Sequence, residues 1–226
     1  MSLKSILFVT IAVFIFQSAS SQRNYDQRNH LGLTGGIGFF DIITDDFETE
    51  QGTGYAFGFT TRGAFYNNFD LIYGVNFVQS QIGILANNVS DPTNNFQSQY
   101  VNYTILAAQI NFLVSMNIIN DRLSLEAGPL LNVNGKMKID QEEFEDFLVE
   151  GYDSLSSGDI QNISRVHFFL MGGITGGIEN FRVGAQYQYG VTNIFNRFND
   201  TAEIEKPNGK FDGHASTILL IATLYF

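Results

Sequence analysis

The sequence contains no cysteine and no tryptophan, and only three prolines. Without cysteine the fold holds without disulfides, and attachment through a lipidated cysteine is excluded. Bases are scarce as well: 12 Lys and Arg stand against 23 Asp and Glu, for a net charge of −11. A surface of that sign repels phosphate backbones, so nucleic acid is not an expected partner. Long apolar runs are missing except at the very start. There Ile6 to Phe16 follows Lys4 and precedes the small-residue stretch Gln17 to Gln22. The run is well short of the roughly 20 residues that a spanning helix needs, and the arrangement is that of an export signal. Residues 1–21 are read as a signal peptide, 22–30 as a short periplasmic lead-in and 31–226 as one domain.

What the chain has instead is alternation. From Phe181 to Thr192, every second residue gives Phe181, Val183, Ala185, Tyr187, Tyr189 and Val191 on one parity. Arg182, Gly184, Gln186, Gln188, Gly190 and Thr192 fall on the other. Successive side chains of a strand point to opposite faces, so one face here is apolar and the other polar or small. The same pattern recurs from Leu31, Tyr55, Phe69, Tyr100, Leu123, Val166 and Ser216, which makes eight strands. The fourth, Tyr100 to Met116, is irregular: Val101, Tyr103 and Ile105 sit on the parity that Gln109 and Asn111 occupy further on. A β-bulge near Ile105 would restore its phase. Asn67-Asn68 suits a two-residue turn, because Asn tolerates positive φ.

Connections alternate long and short along the chain, and 18 of the 23 acids lie in the long ones. Asp41 to Gly52 and Lys138 to Ser164 are the most acidic, and they read as solvated, self-repelling loops. An even number of strands with short turns at one end and long loops at the other is the plan of an outer-membrane barrel. A mean hydropathy of +0.00 agrees with strands that alternate. The expectation is an all-β, eight-stranded, antiparallel up-and-down transmembrane barrel, exported to the outer membrane, with lipid around it. A soluble periplasmic carrier of lipocalin type shares the strand number but gives no reason for loop lengths to segregate. The terminal Phe226, after alternating apolar residues, has the form of the strand through which barrel-assembly machinery takes up its clients. Phe65, Phe69, Phe181 and Phe226 fall on the outward parity near the short turns, and Phe39, Tyr55, Phe77 and Tyr189 near the other end. Aromatic girdles at the two interfaces have that distribution.

Leu125-Glu-Ala-Gly-Pro-Leu-Leu-Asn-Val-Asn-Gly-Lys136 and Val183-Gly-Ala-Gln-Tyr-Gln-Tyr-Gly-Val-Thr-Asn-Ile194 resemble the Bacteroidota outer-membrane β-barrel domain family, often called PorT-like. The resemblance runs from about Leu31 to Phe226. It implies an outer-membrane address and, for PorT itself, a part in type IX secretion; it brings no catalytic residue and no cofactor.

Among groups that carry chemistry, the inward charges are the sharpest. Arg62, Glu126 and Arg182 lie on the polar parity, with Asp70, Arg122 and Glu179 closer to the short turns. Eight strands leave an interior that side chains just fill, so these charges are expected to pair across the lumen and plug it. His30, His167 and His214 are the only histidines. His167 has inward parity and could reach a serine such as Ser80, but no nucleophile motif surrounds either residue. Asp140 to Asp146 lacks the spacing of an EF-hand loop. The expectation is a monomeric, non-enzymatic barrel without cofactor or metal, serving membrane integrity, adhesion or scaffolding. A secretion-complex accessory is the rival role.

Overall fold

A computed structural model describes residues 29–88, 98–119, 122–200 and 209–226; the signal segment and most of the lead-in lie outside them. Eight long strands form the wall: β1 Asn29–Ile43, β2 Thr49–Tyr66, β3 Phe69–Asn87, β4 Ser98–Ile119, β5 Leu123–Asn134, β6 Val166–Gly177, β7 Phe181–Gly190 and β8 His214–Tyr225. Each pairs antiparallel with its sequence neighbours, and β8 pairs with β1, which closes the ring. Asn67 takes the turn between β2 and β3 with φ +49°. Pro129 sits within β5 where the ladder to β4 is interrupted between Asn111–Leu130 and Val114–Ala127; the register is the same on both sides of the gap, as expected where a proline has no N–H to donate.

The register fixes the shape. Starting at Phe69 and stepping from partner to partner, the path runs Met116, Leu125, Ile174, Ala185, Leu220, Ile37, Tyr55 and returns to β3 at Gln79. Going once round the wall therefore climbs from residue 69 to residue 79 of the same strand. Taking about 3.3 Å per residue and about 4.8 Å between strands, that stagger tilts the strands by about 40° from the barrel axis. Because the climb is even, inward and outward faces stay continuous around the ring. On β3 the outward apolar run Phe69 to Phe77 then rises about 20 Å, close to the ~25 Å apolar band of membrane barrels.

The strands differ from the sequence reading in length and in one element of geometry. β3 and β4 continue to Asn87 and from Ser98, and β1 and β2 are joined by residues 44–48 alone. The bulge expected near Ile105 is absent: β3 and β4 pair without interruption from Phe69–Met116 to Asn87–Ser98. Val101, Tyr103 and Ile105 are buried and share the inward face with Gln109 and Asn111. It is the solvent that changes, not the phase. In the lower wall, outward Val75, Phe77, Leu106, Ile110 and Phe112 are exposed. Above them the outward residues of β3 and β4 are Gln79, Gln81, Asn102 and Thr104, with Leu85 and Tyr100 half-buried at the top, while inward Ile82, Ile84 and Ala86 join Val101 and Tyr103 in a closed core.

Candidate functional site: lumen and head

The interior is layered from the short-turn end upward. The lowest layer holds charge. Arg62 on β2 donates from Nε to Asp70 Oδ2 (2.8 Å) and from Nη1 to Glu126 Oε1 (3.3 Å), reaching both a neighbouring strand and the wall opposite. Its Nη2 donates to Ser115 Oγ, Asn117 Oδ1 and Ser124 Oγ at 2.9–3.1 Å. Arg182 on β7 donates to Ser124 Oγ (2.7 Å) and Thr175 Oγ1 (3.3 Å), and Thr175 Oγ1 donates in turn to Glu126 Oε1 (2.7 Å). Glu126 and both arginines are buried. A guanidinium presents five donors in a rigid fork, which is why two arginines tie together six strands, β2 to β7, here.

The structure brings together four of the six charges singled out in the sequence. Arg122 and Glu179 stand apart. Both are exposed at the short turns, where Arg122 bonds through its backbone to Ile119 and Gly177 and Glu179 Oε1 lies 3.9 Å from His30 Nε2. Parity placed them inward, but beyond the last ladder pair the chain turns out into solvent.

Above the charges lies a small cavity of about 30 Å³, lined by Thr60, Asn76, Asn111, Glu126 and Arg182 among others. Thr60 Oγ1, Asn76 Oδ1 and Asn111 Oδ1 have no hydrogen-bond partner within the protein. Three unsatisfied polar atoms on residues lining a volume of this size suit a buried water. Two glycines let the paired backbone and the amides approach closely: a Cβ at Gly58 would run into Val75 O and Asn76 Oδ1, and one at Gly74 would run into Phe59 O and meet Asn111 Oδ1 at 3.0 Å. Gln109 Nε2 donates to Gln188 Oε1 (3.0 Å) across the lumen and separates this cavity from a second of about 30 Å³. His167 lines the upper one, together with Ser80. Its ring nitrogens are engaged by Ser164 O (2.7 Å) and Thr192 Oγ1 (3.3 Å), so the ring fixes the base of two loops and is not turned toward a nucleophile.

The top layer is apolar and closes the mouth. Phe40, Ile42, Ile84, Val101 and Tyr103 from the wall pack with Phe47, Met137, Ile160, Ile163, Phe195 and Phe211 from the connections. Phe47, at the tip of the 44–48 turn, meets Phe195 edge-on (5.0 Å) and stacks on Phe211 (5.6 Å). Tyr152 stacks on Phe211 (5.9 Å) and donates its hydroxyl to Asp46 O. Burial pushes the Tyr152 phenol above its ordinary pKa, and the Asp46 carboxylate adds to this. Asn193 Oδ1 accepts from Phe195 N (2.8 Å) and Gly213 N (3.1 Å), and Asn199 Oδ1 from Phe211 N (2.7 Å). Residues 135–165 add two-residue strands, Lys138–Ile139 against β4 and Leu148–Val149 against β3. The described parts of the acidic loops thus form a folded head; only its outer shell is acidic. Sequence reasoning missed it because its apolar residues follow no period. The visible signal was the run Val101, Tyr103, Ile105 on the unexpected parity.

On the outer wall, Phe65, Phe69, Phe181 and Phe226 are exposed at the short-turn end. Phe39, Tyr55 and Phe77 are also exposed, and each is the last outward apolar residue before Asp41, Thr53 or Gln79. Tyr189 differs in being half-buried, stacked on His214 (5.6 Å).

A closed ring with apolar side chains outside and hydrogen-bonded polar groups inside is a transmembrane β-barrel: all-β, eight-stranded, antiparallel and up-and-down. No protein-family model matches the chain, and no curated protein matches it in sequence. Among solved structures it is similar to Neisserial surface protein A, NspA, at 11% identity and a TM-score of 0.49, over 87% of this chain and 97% of that one. It is also similar to Ail, the attachment invasion locus protein of Yersinia pestis, at 15% identity and a TM-score of 0.45, over 88% and 99%.

Proposed function

We propose that this chain is a monomeric outer-membrane barrel whose work is done by its head, as a non-enzymatic platform for adhesion or scaffolding. One observation carries the reading: along single strands, β3 and β4, the outward face changes from apolar to polar while the inward face changes the opposite way. One strand face cannot be matched to a single solvent and show that inversion. It fits a wall that leaves lipid and enters water partway along. A soluble carrier of lipocalin type would keep its apolar face inward throughout, whereas here Phe57, Phe77, Leu170 and Leu220 are more than half exposed.

Export by residues 1–21 and assembly through β8 follow from this address. At the seam, Phe226 N donates to Leu31 O (2.8 Å), so Phe226 extends the closing pair of strands. The two segments that resemble the PorT-like family form β5 and β7 with the loop starts beyond them. They belong to the wall, so a platform role is preferred here to an accessory role in type IX secretion.

The test is made on the membrane fraction. The chain is expected to resist carbonate extraction, to require detergent, and to migrate faster on a gel before boiling than after. Added trypsin on whole cells should reach Lys136 and Lys138 in the head. A chain released into buffer without detergent would overturn the proposal.

A further inference from the structure

The head carries a large excess of acid, yet three of its bases stand together at its lower rim. Lys138 pairs with Thr104, one residue pair above the exposed, outward Leu106. Gly135 N donates to Leu106 O, which brings the following Lys136 to the same border. Asn134 N donates to Arg165 O, directly above the outward pair Val133 and Val166. All three cations are exposed, and among the described residues no carboxylate lies within 4.0 Å of any of them. Two acids of the same loop turn to other partners: Asp140 Oδ1 accepts from Thr104 Oγ1 (2.7 Å) and Glu145 Oε1 from Gln161 Nε2. Elsewhere around the rim, the corresponding outward residues are Asp41, Thr53, Gln79, Gln81 and Ser216, none of them basic.

Exposed and hydrated, with no carboxylate within 4.0 Å, these cations can be approached by an anion from the surrounding medium. Beneath them Leu106, Val133, Val166 and Phe168 offer an exposed apolar wall. We propose that the β4–β5–β6 rim binds a net-anionic phospholipid of the surrounding leaflet, with its headgroup held by Lys136, Lys138 and Arg165 and its chains lying on those apolar residues. The inference rests on the membrane reading above. Charge over grease is the pairing that an anionic amphiphile complements, and each basic residue at a membrane surface strengthens such binding about fivefold.

The experiment uses the folded chain purified from membranes in detergent, with bound lipid counted by native mass spectrometry. Phosphatidylglycerol is compared with phosphatidylcholine of the same acyl chains. The wild-type chain should retain the anionic lipid preferentially. The triple variant Lys136→Gln/Lys138→Gln/Arg165→Gln should lose that preference, on the order of a hundredfold for three charges. Arg122→Gln, at the opposite end, should keep it. A heat-modifiable gel shift in every variant shows that the barrel is folded. Equal retention of the two lipids by a folded wild-type chain overturns the docking site and leaves the membrane reading intact; so does competition by excess inorganic phosphate that removes the lipid fully, which marks a free-anion site. A chain that needs no detergent overturns both.

Discussion

At the scale of single residues, Glu126 holds the most consequential position. It accepts from Arg62 and from Thr175, and Thr175 is also bonded by Arg182. Removing its carboxylate leaves a buried guanidinium short of an anion, a loss that typically costs about 3–5 kcal/mol. Glu126→Ala is therefore expected to unfold at clearly lower urea than wild type, followed by loss of the gel shift. Glu142→Ala, at an exposed site in the head, should move the midpoint by no more than about 0.5 kcal/mol equivalent. Equal midpoints would remove the network's claim to hold the wall. This cluster was legible in the sequence because parity alone puts Arg62, Asp70, Glu126 and Arg182 on one face. Arg122 and Glu179 were misassigned for the same reason: parity says nothing about where the ladder ends.

At the scale of elements, the inversion along β3 and β4 separates what periodicity reveals from what it hides. Lower strands read correctly because lipid outside and polar groups inside give an unbroken alternation of period two. In the upper strands alternation continues with its meaning reversed, and Ile82, Ile84, Val101 and Tyr103 become core. Loops with no period, such as those carrying Phe47 and Phe195, were read as solvated from their charge alone. Their packing makes a prediction for the head. Phe47 touches three ring systems, so Phe47→Ala should cost about 3–5 kcal/mol of head stability. It should speed tryptic cleavage at Lys136, Lys138 and Arg165 while the gel shift stays unchanged. Loss of the shift together with the head would show that wall and head fold as one unit.

Tyr152 gives the same element a pH dependence. Its phenol is held above the ordinary value of about 10 by burial and by Asp46, so the folded head keeps it neutral where an unfolded chain would ionise it. The sign follows from linkage: the stability it contributes is complete below pH about 10 and declines as the pH rises past that point. Unfolding of the head should become easier only above pH about 10, and Tyr152→Phe should blunt that loss of stability. An identical alkaline profile in the variant would assign the effect to other groups.

Over the whole molecule, three closures stand in series between the two ends of the barrel: the Arg62–Glu126 layer, the Gln109–Gln188 bond and the aromatic head. The spaces between them are about 30 Å³ each, room for a water and too little for a hydrated ion to pass. Closures in series have a consequence that a single gate does not, because opening one leaves the others shut. The purified chain in a planar bilayer is expected to show no steady conductance. Gln109→Ala with Gln188→Ala should also be silent, since the charge layer below and the apolar layer above remain. Combining Gln188→Ala and Glu126→Ala with Phe195→Ala should produce measurable current, as each layer then loses a member. Discrete openings in the unmodified chain would mean that all three layers part together, and the interior would have to be described as a gated path.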